Sequence, residues 1–531
     1  MHRKYFLPSL YILLAISLIL GIVFRCIYLD HKVFWFDEAC TLLRISGHAE
    51  VDFLQQFSFD SIVETDALQE YQKPNSGTGI SGTIKGLATE EPQLSPLYFI
   101  LLHGWMKYFG DSITIVRSLS VLFSLLLFPA LYWFCQELFQ AFLPTWIAIG
   151  LIAVSPLQLG FAQEARPYAL WLLTFILSNA AFLRAVRLNS YSSWIIYAIT
   201  IPLNIYTYIL SGLSFLAHSV YIVWHERFRF SRLISNYLIS LLAGMLCSAG
   251  WLLVVMFNFI SIPQLKGIDG DNLNPLTAAK RVIGGIRTVF FDLNNDKNNP
   301  DFIFFGTSPN LILNLLILGL FIYCLYLLLQ SSSRSTSLFI VILTIFISLP
   351  LILTGKYLPR YLITFYLMIQ LIISYGLANR ISAAIRQWRL SWWYIVIVFL
   401  LSLSTFACVV GLRKETSWIK HNFQEIQIAR IINRSPKPLV ISDSSSCTFL
   451  TLNHYLDSKV RLLIEPSCGI CRSGAATFKR VERLPDIPKS FSQVFLYSPS
   501  QKLLDGLSKI HTVKLVQEAS LGSTQLYTLI D

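Results

Sequence analysis

The sequence predicts an α-helical, multi-span membrane protein with about eleven transmembrane helices and a C-terminal small α/β domain outside the membrane. Three observations predict it. Of 531 residues, 54% are hydrophobic and only 14% are charged, whereas a soluble domain carries about 25% charged residues. The mean hydropathy is +0.57, more apolar surface than one soluble core absorbs. From Glu415 onward the chain turns polar and mixed. An ordinary soluble enzyme, a disordered chain and a fibrous protein are excluded. The 42 Lys and Arg against 30 Asp and Glu, a net +12, would suggest nucleic acid in a soluble protein. Here the excess fits basic cytoplasmic loops, and no nucleic-acid partner is expected.

The first span follows Met1-His-Arg-Lys and runs from about Phe6 to Phe24. It is too long for a signal-peptide core and no small-x-small cleavage site follows, so it reads as an uncleaved anchor. Further apolar runs lie near 113–136, 141–160, 168–187, 193–208, 211–225, 233–258, 309–330, 336–354, 360–379 and 392–412. The stretch 96–109 is shorter. Its helix would measure about 21 Å against a hydrocarbon core about 30 Å thick. Ser95 suits an N-cap, Pro96 the first helical position and Gly110 the stop, so it reads as a complete helix in or near the outer interface.

Charge supports that choice. With 96–109 not crossing, Arg3, Lys4, Arg184, Arg187, Arg227, Arg229, Arg232, Arg334, Arg380, Arg386 and Arg389 fall inside, while the short outside loops hold only Arg166, Lys356 and Arg360. The positive-inside rule then gives eleven spans, a cytoplasmic N-terminus and an extracytoplasmic C-terminus. The expected division is a membrane domain, 1–412, and an outer domain, 413–531. Three long segments face outward: 29–112, 259–308 and the tail. The stretch Gln72-Lys-Pro-Asn-Ser-Gly-Thr-Gly-Ile-Ser-Gly-Thr reads as flexible, turn-rich chain. In the tail, strand-like runs at 438–442, 460–464, 494–497, 513–517 and 525–530 alternate with helical patterns at 418–432 and 499–508. No Gly-rich phosphate loop occurs there.

The span interiors hold His218, Asn179, Asn204, Asn258 and little else that is polar. These read as helix-contact residues. A transporter or pump usually keeps ionisable groups at mid-membrane. The charges gather instead at outer helix ends. Phe34-Trp-Phe-Asp37-Glu38-Ala39 sets two adjacent carboxylates beside three aromatics; partial desolvation would make a carboxylate a better base, and equally Asp37 could cap a helix. Glu90-Glu91-Pro-Gln-Leu-Ser-Pro-Leu-Tyr98 leads into the interfacial helix with His103. Gln163-Glu164-Ala-Arg166-Pro-Tyr168 opens a span, as an anion site or an Arg–Glu helix cap. Lys356-Tyr-Leu-Pro-Arg360-Tyr361 opens another; its cations could snorkel or hold an anion. Acids and bases at one depth suit a substrate with a greasy tail and a phosphate head.

Those four stretches, in that order, resemble the GT-C superfamily of membrane glycosyltransferases that use polyprenyl-phosphate sugars. The nearest likeness is the protein O-mannosyltransferase-like branch, family 39, with the lipid A aminoarabinose transferases as relatives. Trp35-Phe-Asp37-Glu38 is similar to the family's Asp-Glu motif in the first outer loop. Ser95-Pro-Leu-Tyr98 with Leu101-Leu-His103-Gly-Trp105 resembles its Pro-Pro-Leu-Tyr segment, and Arg117-Ser-Leu-Ser continues that block. Gln163-Glu-Ala-Arg-Pro-Tyr168 is similar to its Gln-Glu-Ala-Arg-x-Tyr segment, and Arg360-Tyr361 to its late Arg-Tyr. The likeness covers about residues 7–380. Many members carry His-Pro-Pro where this chain has Leu94-Ser95-Pro96, and an insertion spans about 50–90.

The resemblance implies transfer of one hexosyl or pentosyl unit from a lipid-linked monophosphate to an extracytoplasmic protein, lipid or polysaccharide, with inversion, in the bacterial inner membrane. It implies Asp37 as base with Glu38 orienting it, and Arg166, Lys356 and Arg360 on the donor phosphate. Glu91, Tyr98, His103, Glu164 and Tyr168 would support the substrate site. Glu164 would pair with Arg166 or help hold a divalent cation; no metal is assigned and no other cofactor is implied. The competing reading is a transporter or flippase of lipid-linked sugars. Of nine cysteines, Cys135, Cys247, Cys324 and Cys408 read as apolar fillers. A disulfide is expected among Cys447, Cys468 and Cys471, the last two forming a C-x-x-C.

Overall fold

The structure, a computed structural model, describes residues 3–74, 77–258, 275–291, 308–354, 359–386, 392–415, 424–468, 484–488, 490–517 and 524–530. Lys356, Cys471, residues 418–423 of the expected tail helix and most of the 259–308 loop lie outside them. The chain forms two compact units. A helical unit takes Met1–Leu29, Arg117–Phe257 and Gln264–Arg413, and a mixed unit takes Asp30–Val116, Asn258–Pro263 and Lys414–Asp531.

Each of the eleven expected apolar runs is helical. Among the described residues, seven helices are long and apolar enough to cross a membrane, eight if one bent pair counts as a single span. The shortfall from eleven is one of length. Ile209–His225 and Arg334–Pro350 are shorter apolar helices, and Tyr191–Thr207 has 17 residues with Pro202 inside, about 26 Å of helix. Tyr168–Leu188 and Arg360–Ile385 are central, with 78% and 83% of their apolar windows buried, whereas Arg232–Asn258 is 22% buried. His218 confirms the reading of span polars as contacts. Its Nε2 donates to Asn179 Oδ1 at 3.0 Å and its Nδ1 meets the Tyr197 hydroxyl at 3.0 Å.

The bent pair is Phe142–Ala153 and Pro156–Ala162, at 63°. The residue before a proline disfavours helical backbone, and Pro156 suits the first turn of a new helix. At the break four consecutive carbonyls accept from side chains. Leu151 accepts from Gln370 at 3.4 Å, Ile152 and Ala153 from Arg25 at 3.3 and 2.6 Å, and Val154 from the Cys408 thiol at 3.1 Å. Irregular backbone at membrane depth survives only with such internal partners. Gly21 lets the first span approach, since a Cβ there would collide with the Ala153 carbonyl.

The mixed unit is built on a six-stranded sheet in the order β1-β3-β2-β4-β6-β5. The strands are β1 Val63–Glu64, β2 Pro438–Ser442, β3 Arg461–Ile464, β4 Gln493–Tyr497, β5 Thr512–Gln517 and β6 Leu526–Ile530. β2 lies parallel to β3 and β4, and the remaining pairings are antiparallel. All five residues of the central β2 are buried, as expected of a parallel strand covered on both faces. Leu439, Ile441, Leu463, Leu496, Leu503 and Leu507 form the core. The five tail strands match expectation. The helix Ser446–Asn453, capped by Ser445, and the two-residue β1 were not expected.

Other differences concern the loop and the cysteines. The stretch expected to be flexible, 72–83, runs into the helix Gly79–Glu90, which buries Thr83, Gly86, Leu87 and Glu90 at helical spacing. The expected Ser95 cap is corrected. The helix runs Leu97–Phe109 with Pro96 at the N-cap position, while Gly110 stops it at φ +106°. Of the three cysteines among which a bond is expected, Cys447 bonds Cys40, and Cys471 lies outside the described residues. Cys468 is also disulfide-bonded.

Candidate active site

The expected site residues fall in two constellations, one in each unit. In the mixed unit, the helix Phe36–Ser46 carries the paired acids and is called here the acid helix. Trp35, not Asp37, takes the N-cap position. Glu38 is fully buried, and its carboxylate accepts from the Trp35 backbone N–H at 3.3 Å, the return half of a capping box. Asp37 sits half-buried in the same first turn, where the helix dipole favours a charged carboxylate. The two neighbours thus differ in burial: Glu38 is fully buried and closes the capping box, and Asp37 is half-buried.

Glu91 and His103 serve the opposite end of this helix. Arg44 is buried and ion-paired with Glu90 and, at 2.9 Å, with Glu91. Burial opposes the Arg44 charge, but Glu91, Glu90 and Glu50 outweigh it and raise its pKa. His103 Nδ1 lies 3.0 Å from the Ile45 carbonyl, which also accepts from Thr83 at 3.3 Å. Ile45 follows Asp37 by eight residues, about 12 Å along a helix. Tyr98 is fully buried, edge-on to Phe99 at 6.0 Å.

In the helical unit, Gln163–Tyr168 forms a buried turn. Gln163 Nε2 donates to the Phe24 and Ile27 carbonyls at 2.8 and 2.9 Å, satisfying orphan acceptors at the end of the first span. The Arg166 N–H donates to the Glu164 carbonyl at 2.8 Å. Ser120 Oγ donates to the Arg166 carbonyl at 3.5 Å, and Arg117 Nη1 to the Leu29 carbonyl at 2.6 Å. The Arg117-Ser-Leu-Ser and Gln163–Tyr168 stretches are therefore neighbours.

Arg166 and Arg360 each lie beside a tyrosine. The Arg166 guanidinium lies 5.9 Å from the Tyr168 ring centre and that of Arg360 lies 5.5 Å from the Tyr361 ring centre. Tyr208 interacts electrostatically with Tyr168, Tyr361, Arg360 and Arg166. Its ring stacks on Trp171 at 4.3 Å and meets Tyr168 at 6.3 Å. Two cations thus act on one tyrosine that stacks among aromatic rings, a combination suited to an anion carried on an apolar chain. Sequence reasoning missed Tyr208 and Trp171, which carry no motif of their own; their spacing from Arg166 becomes visible only in three dimensions. Glu164 is buried within the Gln163–Tyr168 turn. Among the described residues no three His, Cys, Asp or Glu side chains group as a metal site.

No protein-family model matches the sequence, and no curated protein matches it. Two solved structures resemble it over 98% of both chains. ArnT of Cupriavidus metallidurans in the apo state gives a TM-score of 0.54 at 12% identity. The same protein bound to undecaprenyl phosphate gives 0.52 at 11% identity. The chain has the GT-C fold of ArnT.

Proposed function

We propose that this GT-C-fold chain is a membrane glycosyltransferase that moves one sugar from a polyprenyl-phosphate donor to an acceptor on the extracytoplasmic side. The observation that carries the reading is that Arg166 and Arg360 both act electrostatically on Tyr208, in a fold whose neighbour ArnT has been solved with undecaprenyl phosphate. Asp37 takes the acceptor hydroxyl proton as the oxygen bonds the anomeric carbon. The bond from that carbon to the phosphate oxygen breaks, and its electron pair stays on the leaving lipid phosphate. Attack opposite the leaving group inverts the centre. Arg166, Arg360 and Lys356 neutralise the growing phosphate charge. Glu38 orients the base by fixing the helix start. Glu91 and His103 hold the far end of the acid helix. Tyr98, Glu164 and Tyr168 shape the site.

The finer assignments are a hexosyl or pentosyl unit, a family 39 relationship, the bacterial inner membrane and an N-terminus inside. A lipid-linked sugar flippase is disfavoured, since the span residues are engaged with neighbours: His218 with Asn179 and the Tyr197 hydroxyl, and Asn204 with the Thr174 and Ser211 hydroxyls. The test is to incubate the purified protein with polyprenyl-phosphate sugars and follow release of polyprenyl phosphate. Asp37→Asn should lower kcat by about 10²–10⁴-fold while donor binding persists; full turnover would remove Asp37 as base.

A further inference from the structure

The two ends of the acid helix are held by different parts of the chain. Its C-terminal end is fixed within the first loop, through Arg44 with Glu90 and Glu91 and through the Ile45 carbonyl with His103 and Thr83. Its N-terminal end, which carries Asp37, is held from the tail. Cys40 bonds Cys447 with the two Cα atoms 5.3 Å apart. The Val33 N–H donates to the Glu415 carbonyl at 2.8 Å, and the Phe34 N–H to the Tyr455 hydroxyl at 2.5 Å. The Phe34 ring meets His454 edge-on at 4.5 Å.

Cys447 opens the helix Ser446–Asn453, and His454 and Tyr455 follow its end. One short tail helix therefore grips the start of the acid helix at two places. Cys40 stands three residues after Asp37, one turn on, where side chains are neighbours. An 11-residue helix is marginal in water by itself, so its first turn depends on these contacts.

We infer that Cys40 and Cys447 are positioning residues for the transfer reaction: their disulfide sets the first turn of the acid helix, and the tail acts as the brace of the catalytic base. The inference rests on the proposed transferase reading. Reduction by a dithiol, which closes to its own cyclic disulfide as it gives up two electrons and two protons, breaks the S–S bond to two thiols. Asp37 then loses its fixed direction while the far end of the helix stays anchored. The donor cations lie in the other unit and are untouched.

The experiment uses the full-length protein in detergent or nanodiscs, before and after dithiothreitol, alongside the Cys40→Ala/Cys447→Ala double variant. Two readouts are taken: hydrogen exchange along residues 34–46, and kcat with donor KM. Reduction is expected to speed exchange over 34–41 but not 42–46. It is expected to lower kcat by about 10- to 100-fold, the cost of a misplaced reacting group, with donor KM changed less than about threefold. Reoxidation should restore both, and the double variant should resemble the reduced protein and ignore reductant. Unchanged kcat and protection, with thiol titration proving reduction complete, overturn the inference. So does loss of protection along the whole helix, which marks a purely structural bond. If the oxidised protein releases no polyprenyl phosphate while exchange rises only over 34–41, the transferase reading fails and the brace remains.

Discussion

Glu425 shows how a single buried carboxyl sets a pH dependence. It is fully buried and accepts from the Tyr497 hydroxyl and from Thr524, both at 3.4 Å. Burial lifts its pKa to about 7, against the opposing pull of its hydrogen bonds. The folded unit therefore holds a proton that the unfolded chain releases above the usual carboxylate range. This contribution is full below about pH 4.5 and is lost as pH rises through about 7, on the order of 3 kcal/mol in all. Pulse proteolysis in urea should find the tail less stable at pH 8 than at pH 5, and Glu425→Gln should flatten that dependence. Arg44 is the opposite case, a buried cation among carboxylates. Arg44→Met leaves Glu90 and Glu91 uncompensated and should cost about 3–5 kcal/mol, read as a lower thermal midpoint in detergent. At the donor cluster, Arg360→Ala should weaken binding of a polyprenyl-phosphate sugar about 10- to 100-fold, the worth of a charged hydrogen bond. Unchanged affinity would dismiss the phosphate role.

Among the elements, the broken helix at 153–156 depends most on one residue. Arg25 is buried and donates to Ser124 Oγ and to the Gly21, Ile152 and Ala153 carbonyls. Arg25→Ala should strand the Ala153 carbonyl, at about 1–3 kcal/mol, lowering the thermal midpoint without altering helix content. The apolar runs were legible because twenty greasy residues in a row have few other uses. The break was less so: Ser155-Pro156 gives a local signal, but it lies inside an apolar stretch that reads as one span. The tail strands were legible from β-branched runs between turn residues. The helix Ser446–Asn453 is hidden by the polar run that leads into it, Ser442-Asp443-Ser444-Ser445-Ser446, a composition that also marks loops. The 79–90 helix is masked by its glycines, among them Gly82, where a Cβ would press on the Gly47 carbonyl.

At the scale of the whole molecule, the resemblance singles out Asp37, Arg166 and Arg360 by motif, yet the partners of the first loop were not readable. Those partners stand nearly four hundred residues away: β1 pairs with β3, Gln72 donates to the Leu450 carbonyl, and Asn453 donates to the Thr65 carbonyl. No local pattern encodes such pairings. Truncation after residue 413 should therefore leave residues 30–74 open to limited proteolysis while the helical unit resists it. The Cys40–Cys447 bond spans 407 positions, and this dictates a timetable. A ribosome adding about 5–20 residues per second reaches Cys447 roughly 20–80 s after Cys40. During that interval the nascent loop has no thiol partner in the tail, so oxidative maturation waits for chain completion rather than proceeding from front to back.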